Sequence, residues 1–359
     1  MICKILKTVA VLSLATAAIA ANNGVMGGEE INTNAPINRG VSSSAGGYAD
    51  FINNTNPGAY VTQCSLGSSG IISTQCTSIQ MNVDSLQAIS MNGNYAYFAS
   101  DFESKYLLYQ GYTQCSNPAS GLESQNCVNI ALVNPGGDFY DFQGIAFNGD
   151  YAYILALDTS NSNIPVYFKC SVNSSGIEPN QCTAPITIGS NLTTTTAVAV
   201  TFNNNFAYIS LPDYNELMQC SIDSSGNLST SCSTYQPQEN PDQFTPNGVA
   251  FNGGFGYISN GLNGSYLVCP QSAFANVSQT DYMNQCSSYS LNSNNQPFSP
   301  SVITFDNGIA YILQLTSFGI TNYNYLQCNM NGNGSFTNCN SNATSPSVLS
   351  MPSGIAFTN

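Results

Sequence analysis

The residues whose spacing most directly specifies chemistry are the cysteines. With Cys3 set aside in an amino-terminal segment, twelve fall into neighbouring couples: Cys64 with Cys76, Cys115 with Cys127, Cys170 with Cys182, Cys220 with Cys232, Cys269 with Cys286 and Cys328 with Cys339. A glycine lies midway in the first four, at Gly70, Gly121, Gly176 and Gly226; the fifth couple has a longer connection, and the shorter sixth has Gly334 near its centre. Two strands folded back at such a glycine, which supplies the positive φ of a tight turn, would set the cysteines directly opposite each other. Opposed Cα atoms at a non-hydrogen-bonded antiparallel site are about 4.5 Å apart, within disulfide reach. Twelve thiolates could also make three zinc centres, but metal-binding cysteines come two to four residues apart and these are about twelve apart. Six local hairpin disulfides are expected, and with them an oxidising compartment.

Other reactive groups are scarce. Histidine is absent, which removes the commonest general acid/base and metal ligand. Asp101, Asp158 and Asp213 could ring an opening and hold calcium. Aspartates are also ordinary turn residues, the fifth unit has Asn260 there and the sixth has no acid, so turn roles are expected. No cofactor is expected, calcium being the one ion these carboxylates would suit.

These residues must be positioned by a repeat. Before each couple stands a run of one form: "AISMNGNYAYFAS", "GIAFNGDYAYILAL", "VTFNNNFAYISL", "GVAFNGGFGYISN" and "ITFDNGIAYILQL". Each is a short apolar stretch, an Asn/Gly/Asp turn and an alternating aromatic stretch, the form of a β-hairpin. Tyr97, Tyr153, Tyr208, Tyr257 and Tyr311 mark a period of about fifty residues. Two hairpins per period give four strands, the unit of a β-propeller. "MPSGIAFTN" at the end supplies a first strand, and "GGYADFINNTNPGAYVTQCSL" supplies a second and third. Together they make a sixth unit, so the expected fold is all-β: a six-bladed propeller of four-stranded antiparallel blades over residues 46–359, closed by pairing of the C-terminal strand with the N-terminal blade. In the first strands Phe147, Phe202, Phe251, Phe305 and Phe357, with Met91 in the same place, alternate with Ile or Val as half-buried strands do.

The pattern "PNGVAFNGGFGYISN", with "PSGIAF", resembles the propeller repeats called NHL and YVTN, with cysteines added on the third and fourth strands. The resemblance covers essentially residues 46–359. It implies a propeller fold and leaves activity open, because such repeats occur in enzymes, receptors and adhesive proteins alike.

Two groups of residues are candidates for a ligand face. The position two before the first-strand Ile or Val is Gln87, Gln143, Val198, Asn247, Ser301 and Ser353, a mostly neutral polar ring. The loops leading into first strands, "NPGGDFYDFQ", "QENPDQFTPN" and "NSNNQPFSPS", are expected to expose Tyr140, Phe142, Phe244 and Phe298. Aromatics among amides suit a carbohydrate or polypeptide surface. The competing role for them is to cap the hydrophobic ends of the blades.

Residues 1–20 read as an export signal, with Lys4 and Lys7 before an apolar run at 9–19 and small residues at 18–20. Residues 21–45 match no part of the repeat and read as a flexible leader. Without Lys4 and Lys7, three basic residues face nineteen acidic ones, and the formal charge moves from −14 to −16. That balance repels nucleic acid and anionic membranes, and no second stretch is long and apolar enough to insert in a bilayer. The sequence thus predicts a monomeric secreted protein, extracellular or periplasmic, that acts as a non-enzymatic platform for a protein or glycan partner. Two alternatives stand beside it, a calcium-dependent propeller hydrolase or lactonase and a structural surface or matrix component. Eight Asn-x-Ser/Thr sequons, among them Asn173, Asn191, Asn227 and Asn276, matter if the source glycosylates exported proteins.

Overall fold

The computed structural model describes residues 47–54, 59–67, 69–104, 107–116, 121–133, 140–189, 199–236, 244–261, 264–275, 285–293, 296–298, 300–314, 325–341 and 352–358. The expected signal and leader lie outside them. Alternating apolar and polar residues fold into six antiparallel sheets, the blades of a propeller. Blade 1 joins the two ends of the repeat region, in the order Pro352–Thr358, Tyr48–Asn54, Ala59–Leu66 and Ile72–Gln80. Blade 2 comprises Ser85–Asn92, Tyr95–Ser104, Leu107–Ser116 and Cys127–Val133. In blade 3, Tyr140–Asn148, Tyr151–Asp158 and Ile164–Asn173 are followed by an outer strand in two pieces, Gly176–Cys182 and Ile186–Thr187. Blade 4 is Ala199–Asn203, Phe206–Leu211, Glu216–Ser221 and Ser233–Tyr235. Blade 5 is Pro246–Asn252, Phe255–Asn260, Ser265–Pro270 and Ser287–Ser290, and blade 6 is Pro300–Asp306, Ile309–Gln314, Tyr325–Met330 and Phe336–Ser341. The first strands touch in cyclic order, that of blade 6 meeting Pro352–Thr358.

Closure is by antiparallel pairing of Pro352–Thr358 with Tyr48–Asn54, Ala49 opposite Phe357 and Phe51 opposite Ile355. The first and second strands of blades 2 to 6 are joined by two-residue turns, as the Asn/Gly/Asp clusters imply.

The apolar residues do not gather at one centre. They form six clusters, one at each seam between neighbouring blades. Five seams share one contact: the second-strand tyrosine of one blade meets the first-strand phenylalanine of the next. Ring centroids are 4.9 Å apart for Tyr97–Phe147, 4.6 Å for Tyr153–Phe202, 5.0 Å for Tyr208–Phe251, 4.7 Å for Tyr257–Phe305 and 4.6 Å for Tyr311–Phe357. The tyrosine hydroxyls then reach the next blade's third strand or the connection that follows it. Tyr153 donates to the Gly226 carbonyl at 2.6 Å, Tyr208 to that of Phe274 at 3.0 Å, Tyr257 to Sδ of Met330 at 3.4 Å, and Tyr311 to the Gly70 carbonyl. The Tyr97 hydroxyl faces the backbone of Ile177 without forming a hydrogen bond of good geometry. Each repeat tyrosine therefore fills a seam; in three blades it also ties down the neighbouring connection, and in a fourth it bonds the last residue of the neighbouring third strand.

All six expected disulfides are present: Cys64 to Cys76, Cys115 to Cys127, Cys170 to Cys182, Cys220 to Cys232, Cys269 to Cys286 and Cys328 to Cys339, with Cα separations of 3.9–4.4 Å. Each joins a buried third-strand cysteine to a half-buried partner on the outer side of the blade, namely Cys76, Cys127, Cys182, Cys232, Cys286 or Cys339. Direct opposition in the strand register holds for Cys64 and Cys76, Cys115 and Cys127, and Cys170 and Cys182. For Cys220 and Cys232, the fourth couple with a midpoint glycine, the expectation of direct opposition is corrected, and the fifth and sixth couples are off the regular ladder as well. Cys232 and Cys286 each stand one residue before their fourth strand, Ser233–Tyr235 and Ser287–Ser290. Cys286 follows the longest of the six connections, which includes the short helical turn Gln271–Ala275. Cys339 is within Phe336–Ser341, but the register shifts between Gln327 and Asn329, so Cys328 bridges to it at an irregularity in the ladder. Closing a hairpin of about a dozen residues is worth roughly 3 kcal/mol in the chain-entropy estimate, whether or not the ladder is regular there.

Replacing Cys220 and Cys232 together by Ser should accordingly cost about 3 kcal/mol, read as a lower guanidinium midpoint at unchanged slope. Gly226 has φ +79°, and a β-carbon there would sit 2.7 Å from Cδ2 of Tyr151, whereas Gly149 has φ +57° with nothing within 4 Å. Gly226→Ala should therefore cost about 2–4 kcal/mol and Gly149→Ala about 1–2, a difference measurable by the same titration.

Candidate functional site

Five of the six polar-ring positions have a feature that the repeat pattern alone does not show. In blade 2, Leu86 pairs Ser100 and Ala88 pairs Ala99, so Gln87 is an extra residue in its strand. The same irregularity isolates Gln143 between Phe142 and Gly144, Asn247 between Pro246 and Gly248, and Ser301 between Pro300 and Val302. Ser353 stands likewise between Pro352 and Gly354. These are β-bulges, which bend the strand and re-aim the extra side chain. The sequence signal was the small residue that follows in four of the five, Ala88, Gly144, Gly248 and Gly354. Gln87, Gln143, Asn247 and Ser301 are half-buried; the side chain of Ser353 and all of Val198 lie outside the described residues.

Hydrogen bonds tie the bulges to neighbouring blades. Ser210 of blade 4 donates to the Asn247 carbonyl at 3.4 Å, and Ser259 of blade 5 donates to the Ser301 carbonyl at 2.9 Å. Asn247 Nδ2 donates to the Pro300 carbonyl at 3.4 Å, and Ser301 Oγ to that of Leu313 at 3.3 Å. The bulges at Asn247 and Ser301 are thus held from blade to blade, giving that part of the ring preorganised neutral hydrogen-bonding groups.

Beside this ring, blades 2 and 3 bring acids together. The Asp101 carboxyl is pushed up to about 6, mainly by burial, then by the charge of Asp141; Ser85, donating at 3.3 Å, opposes the rise, and Asp84 adds to it. Asp141 is also raised by burial, with its Gln143 hydrogen bond opposing. Asp101 Oδ1 has no partner among the described residues. The other two candidate calcium ligands are placed elsewhere. Asp158 accepts from Ser160 Oγ at 2.6 Å and from the Asn161 amide at 3.2 Å, capping its own turn, and Asp213 is in the short helical turn Pro212–Tyr214. Among the described residues no three His, Cys, Asp or Glu side chains converge in a metal-binding arrangement.

The four loop aromatics are not exposed, which corrects the expectation from their loops. Tyr140 and Phe142 are 5 % and 0 % exposed and pack on Phe168 at 5.5 and 5.6 Å; Phe244 and Phe298 are 2 % and 0 % exposed, in the clusters at the blade 4/5 and 5/6 seams. Each is adjacent to or within the start of a first strand, where the hydrophobic end of a sheet must be covered. Capping that end removes more apolar area from water than a loop position would.

One seam departs from the rule, and sequence reasoning passed over it. At the place of the repeat tyrosine, blade 1 has Asp50, opposite Gln63 and Ala356 as Tyr97 is opposite Gln114 and Ser90. The phenylalanine it would meet in blade 2 is Met91. The signal was "YADF" where other repeats read "YAYF", "YAYI", "FAYI", "FGYI" or "IAYI". Asp50 is fully buried; Gln63 Nε2 donates to its Oδ1 at 2.7 Å, and Oδ2 has no partner among the described residues. The Gln63 carboxamide lies against Gly121 of blade 2, the counterpart of the glycine turns that Tyr153 and Tyr311 reach at other seams. Burial pushes the Asp50 carboxyl up to about 7, with the Gln63 hydrogen bond opposing the rise.

An acid raised in the folded state keeps a proton that the unfolded chain releases above about 4, so stability falls as pH rises. The window runs from about pH 4 to pH 7 for Asp50; Asp101 and Asp306, also raised to about 6, lose stability in its lower part. Thermal midpoints should decline from pH 4 to pH 8. Asp50→Asn should flatten the decline above pH 6 and raise the pH 8 midpoint by a few degrees, measured by scanning calorimetry.

No family's sequence profile and no curated protein sequence matches the chain, so the likeness to NHL and YVTN repeats rests on the repeat motif alone. Among solved structures, the backbone is similar to a "putative 6-phosphogluconolactonase" of Bacteroides fragilis at 10 % identity, TM-score 0.49, over 83 % of this chain and 82 % of that one. Another so described, from Bacteroides uniformis, has 14 % identity and TM-score 0.49, over 87 % of this chain and 84 % of that one. A protein from Lactobacillus plantarum has 13 % identity and TM-score 0.47, over 87 % and 99 %.

Proposed function

We propose that the protein is an exported, non-catalytic binding platform whose bulge-bearing end holds a polypeptide partner. The observation that carries this reading is the coincidence of five β-bulges with the five polar first-strand positions Gln87, Gln143, Asn247, Ser301 and Ser353. Their carboxamides and hydroxyls match the donors and acceptors of a peptide backbone. Because Tyr140, Phe142, Phe244 and Phe298 are buried, these four rings are not offered for stacking on a glycan, and the amides and hydroxyls of the ring suit a polypeptide better. Asp84, Asp101 and Asp141 beside the ring favour a partner that presents a basic segment.

Six disulfides mark an oxidising compartment, extracellular or periplasmic, in keeping with the signal read at residues 1–20. The hydrolase alternative finds its best support in the mutual repulsion of Asp101 and Asp141, which a divalent cation would relieve, but a third carboxylate at coordination range is missing among the described residues.

The test uses the immobilised mature protein and a variant with Gln87→Ala, Gln143→Ala and Asn247→Ala. Secretome proteins captured by the wild type should be lost by the variant at an unchanged thermal midpoint, and released by raising salt. Equal capture by both, or hydrolysis of lactones that stops on chelation, would refute the platform.

A further inference from the structure

At the end of the ring opposite the bulges, the seam between blades 6 and 1 holds a cleft of about 240 Å³. Four carboxamides line it: Gln327 and Asn329 from the third strand of blade 6, and Asn338 and Asn340 from the fourth. Ile309 and Ile71 provide its apolar side, Ile71 being 55 % exposed, and Ser69 adds a hydroxyl from the blade 1 turn. Among the described residues no ionisable side chain lines it. Among the described residues the side chains of Asn329, Asn338 and Asn340 have no hydrogen-bond partner, while Gln327 Nε2 donates to the Gly70 carbonyl at 3.3 Å.

Comparison with the other seams explains why the cleft is open here. The second strands of blades 2 to 5 begin with an aromatic residue, Tyr95, Tyr151, Phe206 or Phe255, and blade 6 begins with Ile309. At the blade 3/4 seam the Tyr151 ring covers Gly226, and Lys169 Nζ is 4.7 Å from the ring centroid. That ammonium donates to the Ser225 carbonyl and to Asn227 Oδ1, both at 2.6 Å, and so plugs the space. At the blade 5/6 seam, Phe255 covers Gly334. Strand register gives Gln327 the place of Lys169, each opposite its repeat tyrosine, while Ile309 stands where Tyr151 does. Blades 2 and 4 have a carboxamide at that place too, Gln114 and Gln219. The exchange particular to this seam is therefore ring to aliphatic at Ile309, which with Gln327 in place of the plugging cation leaves a neutral hollow walled by amides.

We propose that this cleft binds a neutral, hydroxyl-rich ligand, in chemical class a single hexose ring or the terminal sugar of a glycan. Each carboxamide offers donors and an acceptor together, the combination that vicinal hydroxyls require. Ile71 and Ile309 offer an apolar surface to the C–H side of the ring. The cleft is somewhat below the roughly 300–1,000 Å³ of drug-sized ligand sites, in keeping with one sugar ring. Anionic ligands are repelled by the acidic chain, and among the described residues the cleft has no carboxylate to hold a cation.

Saturation-transfer NMR on the disulfide-intact mature protein, with glucose, galactose, mannose, fucose and N-acetylglucosamine in turn, tests the assignment. At least one sugar should bind with a dissociation constant of about a millimolar. Ile309→Tyr, which restores the ring found at the other seams, should abolish the signal at an unchanged thermal midpoint, and the exposed-site change Asn340→Ala should weaken binding about five- to tenfold. Gln143→Ala, in the ring at the other end, should leave sugar binding intact, so the two sites fail separately. Absence of binding by all five sugars, or binding unchanged in both Ile309→Tyr and Asn340→Ala, would overturn the assignment.

Discussion

The fold depends on a single strand pairing, that of Pro352–Thr358 with Tyr48–Asn54. A propeller has no central core to fall back on, because its apolar residues are in the seams between blades and each seam needs both neighbours. Ile355 and Phe357 belong to the blade 6/1 cluster and Ala356 to the blade 1/2 cluster. One strand therefore supplies apolar groups to two of six seams and covers what would otherwise be an open sheet edge. Ile355 and Phe357 are 0 % and 5 % exposed, and burial of each such side chain is worth about 1.5–3 kcal/mol.

Around that closure the sequence repeats one device with variations. At three seams the tyrosine that fills the seam also donates to the next connection, so packing and turn geometry are specified together there. The disulfides act inside blades, between third and fourth strands, and tyrosine–phenylalanine contacts act between them. Variation in the device is where the candidate chemistry lies. Asp50 and Met91 alter one seam together, Lys169 plugs a second, and Ile309 opens a third.

Much of this was legible in the residues themselves. Midpoint glycines pointed to the cysteine pairing, and the tyrosine period to the blades, because both follow from local turn geometry and from strand alternation. The pairing of Cys269 with Cys286 and of Cys328 with Cys339 was legible from proximity, whereas their places off the regular ladder were not, because connection length alone does not fix where a fourth strand begins. The bulges at Gln87, Gln143, Asn247, Ser301 and Ser353 left only an indirect sign, the small residue after four of them, since an extra residue in a strand shows fully only against its partner. Burial of Tyr140, Phe142, Phe244 and Phe298 was missed because loop composition does not tell whether a neighbouring sheet end needs a cap. Asp50 was within reach, as an acid where every other repeat has tyrosine. Its partner Gln63, however, is joined to it only by strand register.

The closure is tested most directly by removing residues 352–359 from the oxidised protein and following thermal unfolding, with and without a synthetic peptide of those residues. The truncated chain should lose at least about 10 °C in midpoint, and the peptide should bind it and restore most of that loss. A truncated chain that unfolds at the full-length temperature and ignores the peptide would contradict a ring held by this strand.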